Sequence, residues 1–187
     1  MNQSVIASLL VLACLFPQPV LSGQRDPQRQ PPAPCSEVYC HPPATVHLLL
    51  ENGREFEATV NTHLPVVQDG RASVFPGEIV YIEAELKNEK LVNLTAVRNN
   101  THPDRTLVLR FWQDNNPNNR MMLLVIRNPF PETLKYHAVV MKPAGGLYQT
   151  SSCPVPAGSQ QVESWPQAIF QLYVFGFRVV EDNKCDY

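Results

Sequence analysis

The sequence lacks the features that mark several large functional classes. It has no cluster of lysine and arginine side chains, and its formal net charge is only -2. Because a nucleic-acid-binding surface needs such a cluster to neutralise phosphates, we do not expect a nucleic-acid partner. No apolar run approaches the ~20 residues of a membrane-spanning helix. The apolar positions also lack a sustained helical period, which argues against a helical fold.

Motifs of the common hydrolases are missing too. The chain contains neither a Gly-x-Ser-x-Gly turn nor a His-Glu-x-x-His motif, and no pair of carboxylates has the pattern of a glycosidase. The nearest serine turn, residues 157–160, does not match the first motif. A cysteine nucleophile is not expected, because the cysteines of an exported chain are usually oxidised. The sequence therefore predicts a protein that is not an enzyme and uses no cofactor.

The first 34 residues have the pattern of an export signal followed by a linker. Residues 5–16 are almost entirely apolar, and prolines followed by Ser22 and Gly23 come after them. This order is typical of a secretory signal peptide, which we predict over residues 1–23. Residues 24–34 are rich in proline, glutamine and arginine, a composition that predicts a disordered spacer. The folded domain is expected over residues 35–187.

Cys14 permits a second interpretation of the signal. Residues 11–14 resemble a bacterial lipobox, in which the cysteine is lipidated and tethers the protein to a membrane. The simpler interpretation is that Cys14 is one more apolar residue of the signal, since the signal before it would be very short for a lipoprotein. A secreted or periplasmic protein follows from the simpler interpretation, and a lipoprotein in contact with a membrane follows from the other.

The remaining four cysteines predict two disulfides, because an even count in an exported chain indicates a disulfide framework. Cys35 and Cys40 are close enough in sequence to close a small loop. Cys153 precedes the last predicted strand and Cys185 follows it, so a neighbouring strand would bring them together. We predict Cys35–Cys40 and Cys153–Cys185. The alternative pairs each of the first two cysteines with one of the last two.

Short extended segments fill the rest of the chain. We predict strands at residues 45–50, 55–60, 78–86, 91–97, 105–112, 121–126, 133–141, 147–150 and 168–180. Apolar and polar residues alternate most clearly in 78–86, which predicts one buried and one solvated face. The strand 168–180 is apolar on both faces, which predicts a central position, and Gly176 there indicates a bulge. On this basis Phe175 and Phe177 share one face.

Two hairpins are predicted. Asn-Gly at residues 52–53 is typical of a two-residue type I′ turn, which would place Leu49 opposite Phe56 and His47 opposite Ala58. A longer turn at residues 128–131 would pair residues 121–126 with residues 133–141.

About eight short strands without helices predict an all-β fold, an antiparallel β-sandwich. The arrangement resembles an immunoglobulin-like domain in the broad sense, over about residues 35–181. The turn at 128–131 and the strand that follows are similar to those of accessory immunoglobulin-like domains in secreted proteins. The resemblance implies an architecture and no activity, and the Cys-Trp-Cys spacing of antibody domains is absent.

One candidate metal site depends on the second hairpin. If that hairpin forms, His137 and Met141 lie across from Met121 or Met122, and imidazole with thioether ligands suits copper(I). The alternative is that the methionines fill core space while His137 lies on a solvated face.

Other candidate features are less specific. Asn93 and Asn99 each begin a glycosylation motif, which matters in a eukaryotic source. Trp112, Trp165 and Tyr148 lie near strand ends, where they serve either as interface anchors or as core lids. We expect an exported, non-enzymatic binding or structural module of the cell envelope with a protein or envelope partner. The alternatives are a copper(I)-handling protein and a secreted inhibitor that presents the loop at residues 114–119 to an enzyme.

Overall fold

The computed structural model describes residues 35–60, 63–116, 120–182 and 184–185. The predicted signal peptide, the predicted spacer and Cys14 lie outside these residues. Within them the chain forms β-strands and no helix, and hence no helix long and apolar enough to span a membrane. The strands are β1 (Ala44–Leu49), β2 (Glu55–Val60), β3 (Val67–Gln68), β4 (Arg71–Val74), β5 (Ile79–Lys87), β6 (Lys90–Val97), β7 (Thr106–Asp114), β8 (Met121–Arg127), β9 (Leu134–Met141), β10 (Leu147–Thr150), β11 (Gln160–Trp165) and β12 (Gln171–Val179).

Two antiparallel sheets form a sandwich-like arrangement. Strands β1 and β2 form a two-stranded sheet, and the other sheet has the order β10-β9-β12-β6-β5-β7-β8-β11, with β3 and β4 attached beside β12. One side-chain hydrogen bond connects the end strands of the large sheet, because Trp165 Nε1 on β11 donates to Thr150 Oγ1 on β10 over 2.7 Å. The predicted all-β antiparallel sandwich is therefore confirmed. The immunoglobulin-like character is consistent with this architecture and stays a prediction.

The core follows from alternation along the strands. Every second residue of β5, β7 and β8 is buried, because successive side chains of a strand point to opposite faces. The buried residues are Val80, Ile82 and Ala84 on β5, Leu107, Leu109 and Phe111 on β7, and Met122, Leu124 and Ile126 on β8. Burial of each large side chain contributes about 1.5–3 kcal/mol before entropy is counted. These inward faces fix which side chains of the same strands point outward.

Strand β12 is central, as predicted, and contains the predicted bulge. It pairs with β4, β6 and β9, and its register against β9 shifts between Phe175 and Arg178. Gly176 lies in this interval with a φ of 65°, a conformation that favours glycine. The extra residue reverses the inward side, so that Phe177 is buried whereas Phe175 is only half-buried. The prediction that these two phenylalanines share one face is therefore wrong.

The β1–β2 hairpin is present, but its predicted register is wrong by one residue. Leu48 lies opposite Phe56, and Val46 lies opposite Ala58. Leu50 N donates to the Arg54 carbonyl over 2.8 Å, which closes a three-residue loop at residues 51–53. Gly53 has a φ of 78° and Asn52 is not in the positive-φ region, so the turn is a type I turn with a glycine bulge rather than type I′.

The prediction of a second hairpin, between residues 121–126 and 133–141, is wrong. Strand β8 pairs with β7 and β11, whereas β9 pairs with β10 and β12. The connection between β8 and β9 is a loop that the buried Asn128 side chain fixes. Its Nδ2 donates to the carbonyls of Glu132, Val155 and Pro156 over 2.8–3.2 Å. These bonds fix a loop between β8 and β9 rather than a hairpin turn.

Three strands were not predicted. Strand β3 has two residues and β4 has four, which is too short for a pattern. Strand β11 has polar residues on both faces, with Val162 and Trp165 as its apolar members.

Candidate functional site

The hairpin that the predicted copper(I) site requires is absent, because β8 and β9 do not pair. Four strands lie between β8 and β9 in the large sheet, so no hairpin places Met121 or Met122 across from His137 and Met141. Met122 is 1% exposed and lies in the core. The copper(I) prediction therefore loses the hairpin on which it depended. No group of three or more histidine, cysteine or acidic side chains able to hold a metal occurs in the described part of the chain.

His137 instead belongs to a row of aromatic and cationic side chains. Its ring centroid lies 5.6 Å from that of Phe175, and its Nε2 lies 3.4 Å from Arg178 Nη1. The Arg71 guanidinium carbon lies 5.1 Å from the centre of the Phe175 ring. The positive charge of the neighbouring Arg178 disfavours a bound cation at this imidazole.

Both predicted disulfides are present, Cys35–Cys40 and Cys153–Cys185. They indicate an oxidising, non-cytoplasmic compartment. Each of them adjoins a buried polar network, one around His41 and one around Glu163.

The first network joins a carboxylate, an imidazole and a hydroxyl. His41 Nδ1 lies 2.9 Å from Glu78 Oε2, and His41 Nε2 lies 2.8 Å from Ser73 Oγ. Glu78 Oε2 also accepts from Phe75 N over 2.8 Å. Sequence reasoning missed this network, because its members come from three segments and no local motif connects them.

The arrangement of carboxylate, imidazole and hydroxyl matches the catalytic triad of a serine hydrolase, but the position of the serine does not. Ser73 is 5% exposed and lies within strand β4, which pairs with β12, rather than on the sharp turn that exposes a nucleophile. His41 N donates to the Leu64 carbonyl over 3.0 Å, and Val66 N donates to the Tyr39 carbonyl over 3.0 Å. The network therefore holds the segment with the Cys35–Cys40 disulfide against the sandwich.

The second network surrounds Cys153. Glu163 Oε1 accepts from Cys153 N over 2.5 Å and from Tyr136 Oη over 3.4 Å. Burial raises the pKa of Glu163, and burial followed by the Glu163 charge raises the pKa of Tyr136 well above its usual value. Lys135 Nζ donates to the carbonyls of Ser152 and Lys184. These bonds fix the loop and the disulfide to β9 and β11.

The outer side of β8 is a separate feature that takes part in neither network. Met122, Leu124 and Ile126 face the core with exposures of 0–1%, whereas Leu123 and Val125 point outward and are half-buried. In an antiparallel sheet with one solvated face, the outward residues are usually polar. Strand β8 is thus apolar on both faces, although only its inner face is fully buried.

The apolar outer surface extends across neighbouring strands. Val125 lies opposite Val162 on one side and opposite Arg110 on the other, and Arg110 lies opposite Ile79. Val162 is 50% exposed and Ile79 is 51% exposed. We refer to this surface as the Trp112 face, which comprises Ile79, Val108, Arg110, Trp112, Leu123, Val125, Arg127 and Val162.

The charges of the Trp112 face are positive at its centre. The Arg110 guanidinium carbon lies 4.8 Å from the centre of the Trp112 ring, a cation–π geometry. Arg110 and Arg127 are exposed, and no carboxylate of the described residues lies within 4.0 Å of either one. Tryptophan and arginine are the residues most often found to dominate binding energy at protein interfaces.

Comparison with protein-family models, with curated proteins and with solved structures finds no match. The assignment of the Trp112 face as a candidate site therefore comes from the geometry of this chain alone.

The other sequence predictions have different outcomes. Trp165 is 6% exposed and closes the core between the sheet ends, whereas Tyr148 is exposed with Lys142 Nζ 4.6 Å from its ring centre. Asn93 and Asn99 are both exposed, and their glycosylation stays a prediction. The loop predicted for an inhibitor falls partly outside the described residues.

Proposed function

We propose that the protein is an exported, non-enzymatic binding module of the cell envelope and that the Trp112 face is its binding surface. The observation that carries this proposal is the apolar outer side of β8, where Leu123 and Val125 are only half-buried. Exposed apolar patches of this kind mark interaction sites in soluble proteins. The apolar run at residues 5–16 supports export to a secreted or periplasmic location, and lipidation of Cys14 would add a membrane tether.

The partner that fits the Trp112 face is a protein surface with an apolar centre and carboxylates. The face is the pleated surface of a sheet, whereas small molecules favour concave sites. A protein partner's apolar side chains would cover Leu123 and Val125. Its carboxylates would pair with Arg110 and Arg127, which have no acidic partner among the described residues.

The test uses two labelled synthetic peptides in which valine alternates with glutamate or with lysine. Fluorescence anisotropy of the wild-type protein should show about tenfold or more tighter binding of the glutamate peptide. Arg110→Gln should remove most of this difference. Val125→Lys should abolish binding of the glutamate peptide, because it places a charge at the centre of the apolar surface.

Val139→Lys is the matched control, because Val139 is a half-buried outward valine on β9, which four strands separate from β8 in the large sheet. It should leave peptide binding unchanged. Equal affinity for the two peptides, or equal losses from Val125→Lys and Val139→Lys, would contradict the proposal.

A further inference from the structure

Strand β11 forms an open edge of the large sheet. It pairs with β8 on one side, and the described chain provides no strand on its other side. Proteins usually protect such edges with prolines, lysines, bulges or very short strands. Strand β11 has six residues without proline, lysine or arginine, and its register against β8 is unbroken. The edge is therefore available for pairing with another strand.

The backbone groups at this edge can be assigned. Asn128 N donates to the Ser159 carbonyl over 2.8 Å, so the Ser159 carbonyl points toward β8. Because alternate residues of an antiparallel strand direct their N–H and C=O to the same side, Gln161 and Glu163 also point toward β8. Gln160, Val162 and Ser164 then direct theirs to the open edge. All three of these residues are exposed.

The Val162 carbonyl carries one local bond that is compatible with pairing. Gln161 Nε2 donates to the Val162 carbonyl oxygen over 3.1 Å, as expected for a carbonyl that does not bond β8. A carbonyl oxygen has two lone pairs and accepts a second donor. The Val162 N–H has no backbone acceptor in the described residues.

The sequence of β11 is complementary to itself in an antiparallel register centred on Val162. In that register Val162 faces its own counterpart, Gln160 faces Ser164, and Gln161 faces Glu163. About six backbone hydrogen bonds would form across the two copies. The carboxylate of Glu163 would lie opposite an amide, so no like charges meet, and the central pair would be two β-branched apolar side chains.

We infer that β11 is a dimerisation strand through which two copies of this chain join their large sheets, with Val162 opposite Val162. A two-fold symmetric pair of this kind uses the same patch on both subunits and closes without further growth. The inference concerns the backbone edge of the sheet and does not rest on the Trp112 face being a binding surface.

The test is the oligomeric state of the purified full chain, measured by sedimentation over a range of concentrations. The wild-type protein should show a concentration-dependent dimer. Val162→Lys and Val162→Glu should each self-associate about tenfold or more weakly, because like charges then face each other across the two-fold axis. An equimolar mixture of these two variants, with different tags, should form the mixed dimer. Only a register with position 162 facing itself gives this rescue.

Two further variants separate the backbone from the side chain. Val162→Pro removes the outward N–H without removing a bond to β8 and should weaken the dimer, whereas Val162→Thr keeps the N–H and should retain it. Circular dichroism of each variant checks that the sandwich is folded. A wild-type protein that stays monomeric at roughly millimolar concentration, or a mixture that fails to associate, would overturn the inference. Val125→Lys should leave the dimer intact, so the result is independent of the peptide-binding test.

Discussion

Replacing Phe177 with alanine should destabilise the fold far more than replacing Phe175, although both belong to one apolar strand. Phe177 is 2% exposed, and its ring centre lies 5.6 Å from that of Tyr136. Truncation of a buried phenylalanine costs about 3–5 kcal/mol through lost burial and the cavity that remains. A domain commonly has about 5–15 kcal/mol of stability in total. Phe177→Ala should therefore melt roughly 10 °C lower or fail to accumulate.

Phe175 should behave differently because it lies on the outer side of β12. It is half-buried, and it contacts the imidazole ring of His137 and the guanidinium group of Arg71. Loss of one aromatic pair and one cation–π contact should cost about 1–2 kcal/mol. Urea unfolding of both variants, with m-values equal to that of the wild type, measures the two losses in the free energy of unfolding. Equal costs for Phe175→Ala and Phe177→Ala would refute the reversal of faces at the bulge.

Gly176→Ala tests the same bulge through the backbone. Gly176 has a φ of 65°, and an added Cβ would lie 3.0 Å from His137 Cδ2. The left-handed conformation alone should cost about 1–2 kcal/mol for a residue with a Cβ. An alanine variant as stable as the wild type would mean that the bulge is absent or lies elsewhere.

Three other predictions concern the buried networks and a disulfide. His41→Ala should cost about 1–3 kcal/mol in urea unfolding because it leaves the Ser73 hydroxyl unpaired, and unchanged stability would contradict the network. Burial raises the pKa of Glu163 above the 4.5 of an unfolded glutamate, so the native state holds this proton more tightly. The stability that Glu163 contributes is therefore present below pH 4.5 and is lost as the pH rises through its native pKa. Glu163→Gln should make the melting temperature depend less on pH over this range. Replacing Cys153 and Cys185 with serine opens a loop of sequence separation 32 and should cost about 3–4 kcal/mol, and a melting temperature equal to wild type would contradict it.

The local parts of the fold could be predicted from the sequence. Alternation in β5 identified Val80, Ile82 and Ala84 as inward residues, because a period of two depends only on neighbouring positions. The β1–β2 hairpin was also found, but its register was not. An Asn-Gly pair is compatible with two loop lengths, and the contacts of the whole hairpin select between them.

The long-range pairings and most of the candidate sites could not be predicted. The sequence around Asn128 indicates a turn, yet the three bonds from its buried side chain fix a loop, and β9 pairs with β10 and β12 rather than with β8. The His41 network joins residues separated by 32 and 37 positions. Trp112 was recognised as a possible anchor, but its apolar surroundings depend on the pairing of β7 with β8.

The position of β12 has a consequence for the order of events during synthesis. This strand follows β4, β6 and β9 in the chain, and it pairs with all three of them. Until the residues of β12 leave the ribosome, β4 and β9 lack the strand that joins them. Leu172 and Val174 are also not yet available to fill the interior. The large sheet therefore cannot be completed until nearly all of its strands exist, and non-local pairing of this kind forms slowly. The export that we propose would benefit from this delay, because a chain that has not yet folded can still pass through a membrane channel.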